Sequence, residues 1–206
     1  WALFLGMGFL MMAYDESILE LNSLEGKVRC IAHSAVIQTE ENYTPAGYVT
    51  LKFFTKSNLI SGKATEFSDI IRSDDITKAL TKEYVEERAY FLSKAAANDC
   101  LMFIDGPMFS GASTSGNFIL IDQLLSNNCR PIFFVKNSES TIITERFDFA
   151  KGYNSDLHWA YINLKSGEVS PVFAYTIQGR SKAMCFMKVF KDRSPVRIEF
   201  PLKAFE

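Results

Sequence analysis

Hydrophobic and polar residues alternate along the first quarter of the chain in a way that is typical of strands. The segments Val28–Gln38 and Tyr48–Lys56 are rich in β-branched and aromatic residues, and the second alternates with a period of two. The apolar opening, Ala2–Tyr14, predicts a long central strand, and residues 15–26 predict a short helix that ends at a glycine. Residues 39–47 are expected to form a loop before the third strand.

The rest of the chain interleaves helical and strand-like patterns. Residues 73–99 repeat their apolar positions with helical spacing and predict a long helix, with Ser73, Asp74 or Asp75 as its N-cap. The short apolar run Cys100–Asp105 predicts a buried strand. The remaining predicted elements are a helix over 117–128, a strand over 131–136, a helix over 155–168, and strands over Val172–Ile177, Ala183–Phe190 and Val196–Phe200. Strands between helices predict an α/β fold, with helices packed on a mixed sheet.

Composition narrows the class of protein. The chain has 206 residues, of which 48% are hydrophobic and 22% charged, so we expect one core and a single domain over residues 1–206. The net charge of −2 gives no general basic field of the kind that coats nucleic acid. Four widely spaced cysteines without a Cys-x-x-Cys pair are typical of reduced core residues, which predicts a cytoplasmic protein. The apolar residues 1–14 are fewer than the roughly 18 that span a bilayer, so no membrane association is expected.

Asp105 ends a buried strand and is followed at once by Gly106 and Pro107. An aspartate in this position can cap the turn through its own backbone, or it can bind a ligand at the end of the strand. The second alternative needs another acid. Glu87 is the best candidate, because it lies on the apolar stripe of the long helix, whereas Glu86 lies on the polar flank. A carboxylate on an apolar face is costly to bury unless it is paired, so Glu87 pairs either with a strand lysine or with a metal ion.

The lengths of the helix after Glu87 and of the strand before Asp105 are similar, so the two residues can lie at a similar level along the strand direction. The helix beyond Glu87 covers roughly 16 Å at 1.5 Å per residue, and the strand that returns to Asp105 covers roughly 20 Å at 3.3 Å per residue. Two clustered carboxylates suit a hard divalent cation such as Mn²⁺ or Mg²⁺. Lys136 ends the next strand, where it can hold a phosphate or simply extend into solvent.

Four segments resemble, in the same order, the NurA nuclease family: FIDGP after a glutamate-bearing helix, FFVKNSES, SDLHWAYINLKSGEVSPVFAY and SPVRIEFP. The resemblance covers roughly residues 77–201. It implies a ribonuclease-H-like (Piwi-like) fold and manganese-dependent cleavage of DNA. It also implies a homodimer that works with a HerA-type hexameric ATPase in DNA end resection.

The resemblance also implies roles for single residues. Matched motif by motif, Glu87 and Asp105 are metal ligands, and Lys136 completes the catalytic set. Asp156 and Arg197 match recurrent positions whose roles are expected to be structural. Contacts to DNA are expected from local cations, namely Lys136, Lys52, Lys56 and Arg180.

The chain departs from the family pattern at both ends. The family's first metal-binding aspartate lies in a DGS motif, which this sequence lacks, and Asp15 is the only local substitute. The family's C-terminal histidine is expected beyond Glu206, since neither His33 nor His158 matches it. We therefore expect that sequence is missing at both ends.

Two other functions stay open. One is a catalytically degenerate relative that keeps the surface for the dimer or for the partner ATPase, since two carboxylates without a third bind metal weakly. The other is a Piwi-like guide-binding protein, which follows from fold analogy alone. Within the nuclease function, endonuclease or 5′-to-3′ exonuclease action and a role in DNA repair or antiphage defence are all compatible with these residues.

Overall fold

The structure, a computed structural model, describes residues 10–39, 42–56, 69–95, 99–108, 114–177 and 179–204. These residues form two compact units. The first unit holds the described residues up to 102 together with 114–129, and the second holds 103–108 and the described residues from 130 onward. Strand β5, Cys100–Asp105, begins in the first unit and ends in the second.

Long antiparallel strands with a helix against them dominate the first unit. Besides β5, its described elements are β1 (Leu10–Ser23), β2 (Gly26–Gln38), β3 (Tyr43–Thr55), β4 (Asp69–Arg72), α1 (Ile76–Ala95) and α2 (Thr114–Ser126). The strand order is β4-β3-β2-β1-β5. β1, β2 and β3 pair antiparallel, whereas β3 and β4 pair in parallel. Helix α1 lies against β2 and β3, which brings its buried face to the inner side of the strands.

The second unit continues from β5 in the order β5-β6-β9-β8-β7. Its described elements are β6 (Arg130–Val135), α3 (Ile142–Arg146), α4 (Asp156–Asn163), β7 (Phe173–Ile177), β8 (Arg180–Met187) and β9 (Val196–Pro201). The pairs β6–β9, β9–β8 and β8–β7 are antiparallel. Its core includes Trp159 of α4 packed on Phe173 and Phe186. Parallel and antiparallel pairs with helices confirm the mixed α/β fold.

Residues 15–26 are strand and turn, so the helix predicted for them is wrong. β1 continues to Ser23, which pairs with Gly26 across the turn into β2. From Met11 onward every residue of β1 has a partner in β2. The backbone hydrogen bonds of this long ladder outweigh the weak helical pattern of the segment.

The loop predicted over residues 39–47 is shorter than expected, because β3 begins at Tyr43. Pro45 lies within this strand and faces Val36 of β2. β4 pairs with β3 only from Lys52 onward. Around Pro45, therefore, the hydrogen-bond ladder among the described residues joins β3 to β2 on one edge only. A residue without an N–H is tolerated there.

Two short elements, β4 and α3, were missed because four or five residues are too few for a period to be recognised. The long helix and the strand after it are confirmed with small shifts at their ends. Asp75 is the N-cap of α1, since its Oδ1 accepts a hydrogen bond from the Lys78 N–H at 3.0 Å.

The four cysteines are free thiols, as predicted, and three of them are buried. Cys100 Sγ lies 3.1 Å from Cys129 Sγ, and the hydrogen bond from Cys100 lowers the pKa of Cys129 to about 7. Among the helices of the described residues, none is both long and apolar enough to cross a membrane.

Gly26 occupies a position where a side chain does not fit. A Cβ there would lie 2.0 Å from the carbonyl oxygen of Phe54, whereas a Cβ at Gly47 would lie 3.7 Å from its nearest neighbour, the carbonyl oxygen of His33. We expect Gly26→Ala to lower the free energy of unfolding by about 1–3 kcal/mol, because β3 must move away. Gly47→Ala should change it by less than about 0.5 kcal/mol. Urea unfolding followed by far-UV circular dichroism measures both, and equal effects would contradict the steric argument.

Candidate active site

Asp105 and Lys136 meet at the ends of two strands of the second unit. Asp105 is the last residue of β5, and Lys136 follows directly after β6. Lys136 Nζ lies 2.6 Å from Asp105 Oδ2, and the two side chains are 68% and 30% exposed. The two strand ends that the sequence singled out therefore lie side by side. Because solvent screens the pair, we expect it to contribute no more than about 1 kcal/mol to stability.

The turn after Asp105 depends on Gly106. Its φ of +93° lies in a region that glycine adopts far more readily than any other residue. The Gly106 nitrogen lies 3.0 Å from Asp105 Oδ1 and 2.9 Å from the carbonyl oxygen of Phe134, so its N–H is shared between the two. Asp105 therefore caps its own turn with Oδ1, as one of the two alternatives predicted, and Oδ2 is the oxygen that meets Lys136.

Glu87 is buried on α1 in the first unit, where a strand lysine neutralises it. The residue is 8% exposed, and its Oε2 accepts a hydrogen bond from Thr50 Oγ1 at 2.9 Å. Its Oε1 lies 2.7 Å from Lys52 Nζ, and its Oε2 lies 4.0 Å from His33 Nε2. Glu86 is exposed and lies beside Lys82, so the phase assigned to the helix is confirmed.

Burial and hydrogen bonding act on the pKa of Glu87 in opposite directions. Burial raises the pKa, but the nearby His33 ring and the contacts with Lys52 and Thr50 together lower it by more, so the pKa lies below its ordinary value. For Lys52, burial lowers the pKa, while Glu83 at 2.6 Å and Glu87 raise it by more. Lys52 is thus held between two carboxylates, although the sequence suggested it as a contact to DNA.

Glu16 is a second half-buried acid of the first unit. Tyr14 and Tyr84 each donate a hydroxyl hydrogen bond to its carboxylate, and Arg88 Nε lies 3.5 Å from its Oε2. Its side chain is only 12% exposed. Burial is the largest influence on the pKa of both tyrosines, and Glu16 adds to it, so both pKa values are raised far above the ordinary value.

Glu16 and Glu87 belong to one chain of polar contacts through His33. The Tyr14 hydroxyl lies 2.8 Å from His33 Nδ1, while the other ring nitrogen faces Glu87. Sequence reasoning missed Glu16, because the segment was assigned to a helix. The signal that could have found it is the alternation of Tyr14, Glu16 and Ile18, which in a strand share one face.

The other residues singled out from the sequence lie apart from these contacts. Lys56 follows β3 and is exposed, and Arg180 opens β8 and is half-buried. Asp15 is exposed and accepts a hydrogen bond from the Glu16 N–H at 2.8 Å, so it points away from the face that carries Glu16. His158 is exposed on α4.

Asp156 has the contacts of a structural residue. Its Oδ1 accepts hydrogen bonds from the N–H groups of Ile143 and Thr144 at 2.8 and 2.9 Å, which are at the start of α3. Its Oδ2 accepts one from Ser140 Oγ at 2.8 Å. A buried carboxylate that satisfies the first amides of a helix stabilises the helix start.

The chemistry of Glu87 and Asp105 fits a hard divalent cation, because both offer carboxylate oxygens. Among the residues described, Glu87 Oε1 is buried and already lies 2.7 Å from the Lys52 ammonium, so a cation there would replace a partner that is in place. Within that same part of the chain, no group of three or more His, Cys, Asp or Glu side chains is placed to hold a metal ion. Each carboxylate is matched by a lysine, so an incoming cation has to displace an ammonium group.

Comparison with protein families gives one match. The model of the NurA domain matches residues 17–206, a range that includes Glu87, Asp105 and Lys136. None of the curated proteins matches the chain.

Solved structures share the fold. The NurA nuclease from Sulfolobus solfataricus is 9% identical, with a TM-score of 0.57, over 94% of this chain and 68% of that one. At this identity the likeness concerns the fold alone, and it confirms the ribonuclease-H-like class. A NurA structure with manganese (8% identity, TM-score 0.45, 93% of this chain and 78% of that one) and an endonuclease V from Bacillus subtilis (9%, 0.44, 93% and 65%) have TM-scores too low to support a further conclusion.

The lowered pKa of Glu87 makes the stability of the first unit depend on pH. Because the folded pKa lies below the ordinary value of 4.5, the ionised carboxylate stabilises the folded state above that pH, and this contribution is lost as the pH falls through the folded pKa. We expect Glu87→Gln to lower the free energy of unfolding by about 1–3 kcal/mol at pH 7. The deficit should shrink below about pH 4, which urea unfolding at pH 3 to 7 measures.

Glu86→Gln is the matched control, since it removes an exposed carboxylate from the same helix. It should change the free energy of unfolding by less than about 1 kcal/mol at every pH. The same pH profile for both variants would exclude the assigned role of the Glu87 contacts.

Proposed function

The chain belongs to the NurA domain family, and from this membership we propose that it is a metal-dependent deoxyribonuclease, which hydrolyses phosphodiester bonds in DNA. The observation that carries the proposal is the match of the family model to residues 17–206. The matched range includes Glu87, Asp105 and Lys136, the three residues proposed as the catalytic set.

Mn²⁺, or Mg²⁺ in its place, is the proposed cofactor, and Glu87 and Asp105 are its proposed ligands. Bound to these carboxylates, such an ion would lower the pKa of an attacking water and stabilise the leaving oxygen of the scissile phosphate. The lowered pKa of Glu87 supports its role, because it keeps the group a carboxylate at neutral pH. The exposure of the Asp105 side chain, 30%, supports its role because a cation from solvent can reach it.

The proposed role of Lys136 is to bind a phosphate oxygen of the substrate. Its ammonium group is held by Asp105, yet its side chain is 68% exposed and can turn toward a ligand. Lys56 and Arg180 are the proposed contacts to the DNA backbone outside the catalytic set. Lys52 is the weakest of the proposed contacts, because Glu83 and Glu87 already hold its ammonium group.

The proposed partners rest on the family resemblance. We propose that residues 1–206 form one nuclease domain that acts as a homodimer with a HerA-type hexameric ATPase in DNA end processing. The proposed cleavage is endonucleolytic or 5′-to-3′ exonucleolytic, and antiphage defence is a second setting in which such a complex would act.

A catalytically degenerate scaffold subunit of the same complex is the second candidate. It is favoured by the lysine that neutralises each candidate acid. The lack of a group of three metal-binding side chains in the described part of the chain also favours it.

Asp105→Asn tests the proposed nuclease. The change keeps the shape and the Gly106 contact but removes the negative charge that a cation needs. We expect Mn²⁺-dependent cleavage of a linear DNA to fall by at least about 100-fold, because even changes outside the ligand set cost 10–100-fold. Cleavage is measured by gel electrophoresis with Mn²⁺, Mg²⁺ and a chelator as separate arms.

Asp148→Asn is the control, because Asp148 is also a surface aspartate paired with a lysine, Lys151, at 2.5 Å. It should cut as the unaltered protein does. Full cleavage by purified Asp105→Asn would exclude the assignment of Asp105. An unaltered protein that binds the ATPase but never cuts DNA would favour the scaffold.

A further inference from the structure

Strand β9 buries both of its charged residues, whereas its residues Val196, Ile198 and Phe200 are only half-buried. Arg197 is 8% exposed and Glu199 is 0% exposed. Val196, which precedes Arg197, and Ile198, which lies between the two charged residues, are half-buried. β9 lies between β6 and β8, so both charges are removed from water. Only close partners of opposite charge can offset the free-energy cost of removing these two charges from water. The arrangement of those partners is therefore informative.

Glu199 is the centre of a buried ionic cluster. Lys182 Nζ lies 2.6 Å from its Oε2, and Arg197 Nη2 lies 2.9 Å from its Oε1. Lys182 is itself only 3% exposed. Burial lowers the pKa of Lys182, and Glu199 opposes this fall. The three side chains come from β8 and β9, which fixes their spacing through the strand ladder.

The cluster reaches the two segments that follow Asp105 and Lys136. The Met108 N–H donates a hydrogen bond to Glu199 Oε2 at 2.9 Å, shortly after Asp105. Arg197 Nη1 donates one to Ser138 Oγ at 2.6 Å, shortly after Lys136. One buried carboxylate, directly and through Arg197, therefore contacts both chain segments that leave the candidate site.

We propose that Glu199, held by Lys182 and Arg197, is a positioning residue that fixes the segments after β5 and β6 and thereby keeps Asp105 and Lys136 in register. This inference rests on the proposed function, in which those two residues act together.

The strength of the contacts supports this role. The Asp105–Lys136 pair is exposed, and a pair of this kind contributes too little to fix its own geometry. Catalytic side chains have to be held within about 0.5 Å of their working positions. Charge-assisted hydrogen bonds in a buried setting are about twice as strong as neutral ones, so the Met108 and Ser138 contacts can supply that constraint.

The first test is amide hydrogen exchange, which does not depend on activity. In Glu199→Gln the acceptor for Met108 loses its charge, and we expect the amides of Gly106 and Met108 to exchange about 10-fold faster. Lys182→Met should act in the same direction. Lys188→Met is the matched control: Lys188 is also buried, at 7% exposure, but its Nζ contacts the carbonyl oxygen of Tyr161 at 2.7 Å. Unchanged exchange in Glu199→Gln, or equal acceleration in the control, would overturn the proposal.

The second test separates positioning from mere stability. In Glu199→Gln we expect kcat for DNA cleavage to fall about 10-fold with KM within about twofold. Combined with Lys136→Ala, the change should cause little further loss, because both act on the same pair. A purely additive loss, or unchanged kcat with faster exchange, would show that the cluster is only structural and overturn the proposal.

Ser138→Ala keeps the inference testable if Glu199→Gln does not fold. It removes the contact of Arg197 at a half-buried position but leaves Arg197 paired with Glu199, and a fall in kcat of a few-fold is expected. Unchanged kcat in this variant would count against the proposal. If the unaltered protein never cuts DNA, the proposed function fails. The hydrogen-exchange rates of the Gly106 and Met108 amides then still test whether Glu199 fixes the segments after β5 and β6.

Discussion

A charge can be buried in a protein only where an opposite charge and hydrogen bonds replace the water it has lost, and this constraint shapes both units. Glu87 contacts Lys52 and Thr50 in the first unit, and Glu199 contacts Lys182 and Arg197 in the second. Each set joins residues from different strands or from a helix and a strand. The first set forms only once α1 lies against β3, and the second only once β8 and β9 are paired, so these polar contacts depend on the fold.

The two candidate acids differ in how firmly they are held. Asp105 is partly exposed, and its lysine partner is weakly bound, so a change of partner there costs little free energy. Glu87 is buried, and a cation would have to compete with Lys52 and with the hydrogen bond from Thr50. A new partner at Asp105 therefore has to replace only a weakly held lysine, whereas one at Glu87 has to replace a buried lysine and a hydrogen bond.

Helical phase and strand ends were the parts of the site that sequence could predict. Periodicity separated buried Glu87 from exposed Glu86, and strand ends brought Asp105 and Lys136 together. Periodicity failed where pairing between strands decided the structure. It turned the end of β1 into a helix and so hid Glu16, whose role depends on contacts from a distant helix. Periodicity also could not reveal that β9 buries its charged residues, because the partners of Glu199 lie on β8 and in the segment after β5.

The left-handed backbone of Gly106 has a consequence for the tolerance of this site to mutation. Any other residue would face a penalty of roughly 1–2 kcal/mol at that φ, and the strain would be relieved by rotating the peptide whose N–H meets both Asp105 and Phe134. A substitution at Gly106 would therefore disturb the same turn as a substitution at Asp105, although glycine contributes no side chain to it.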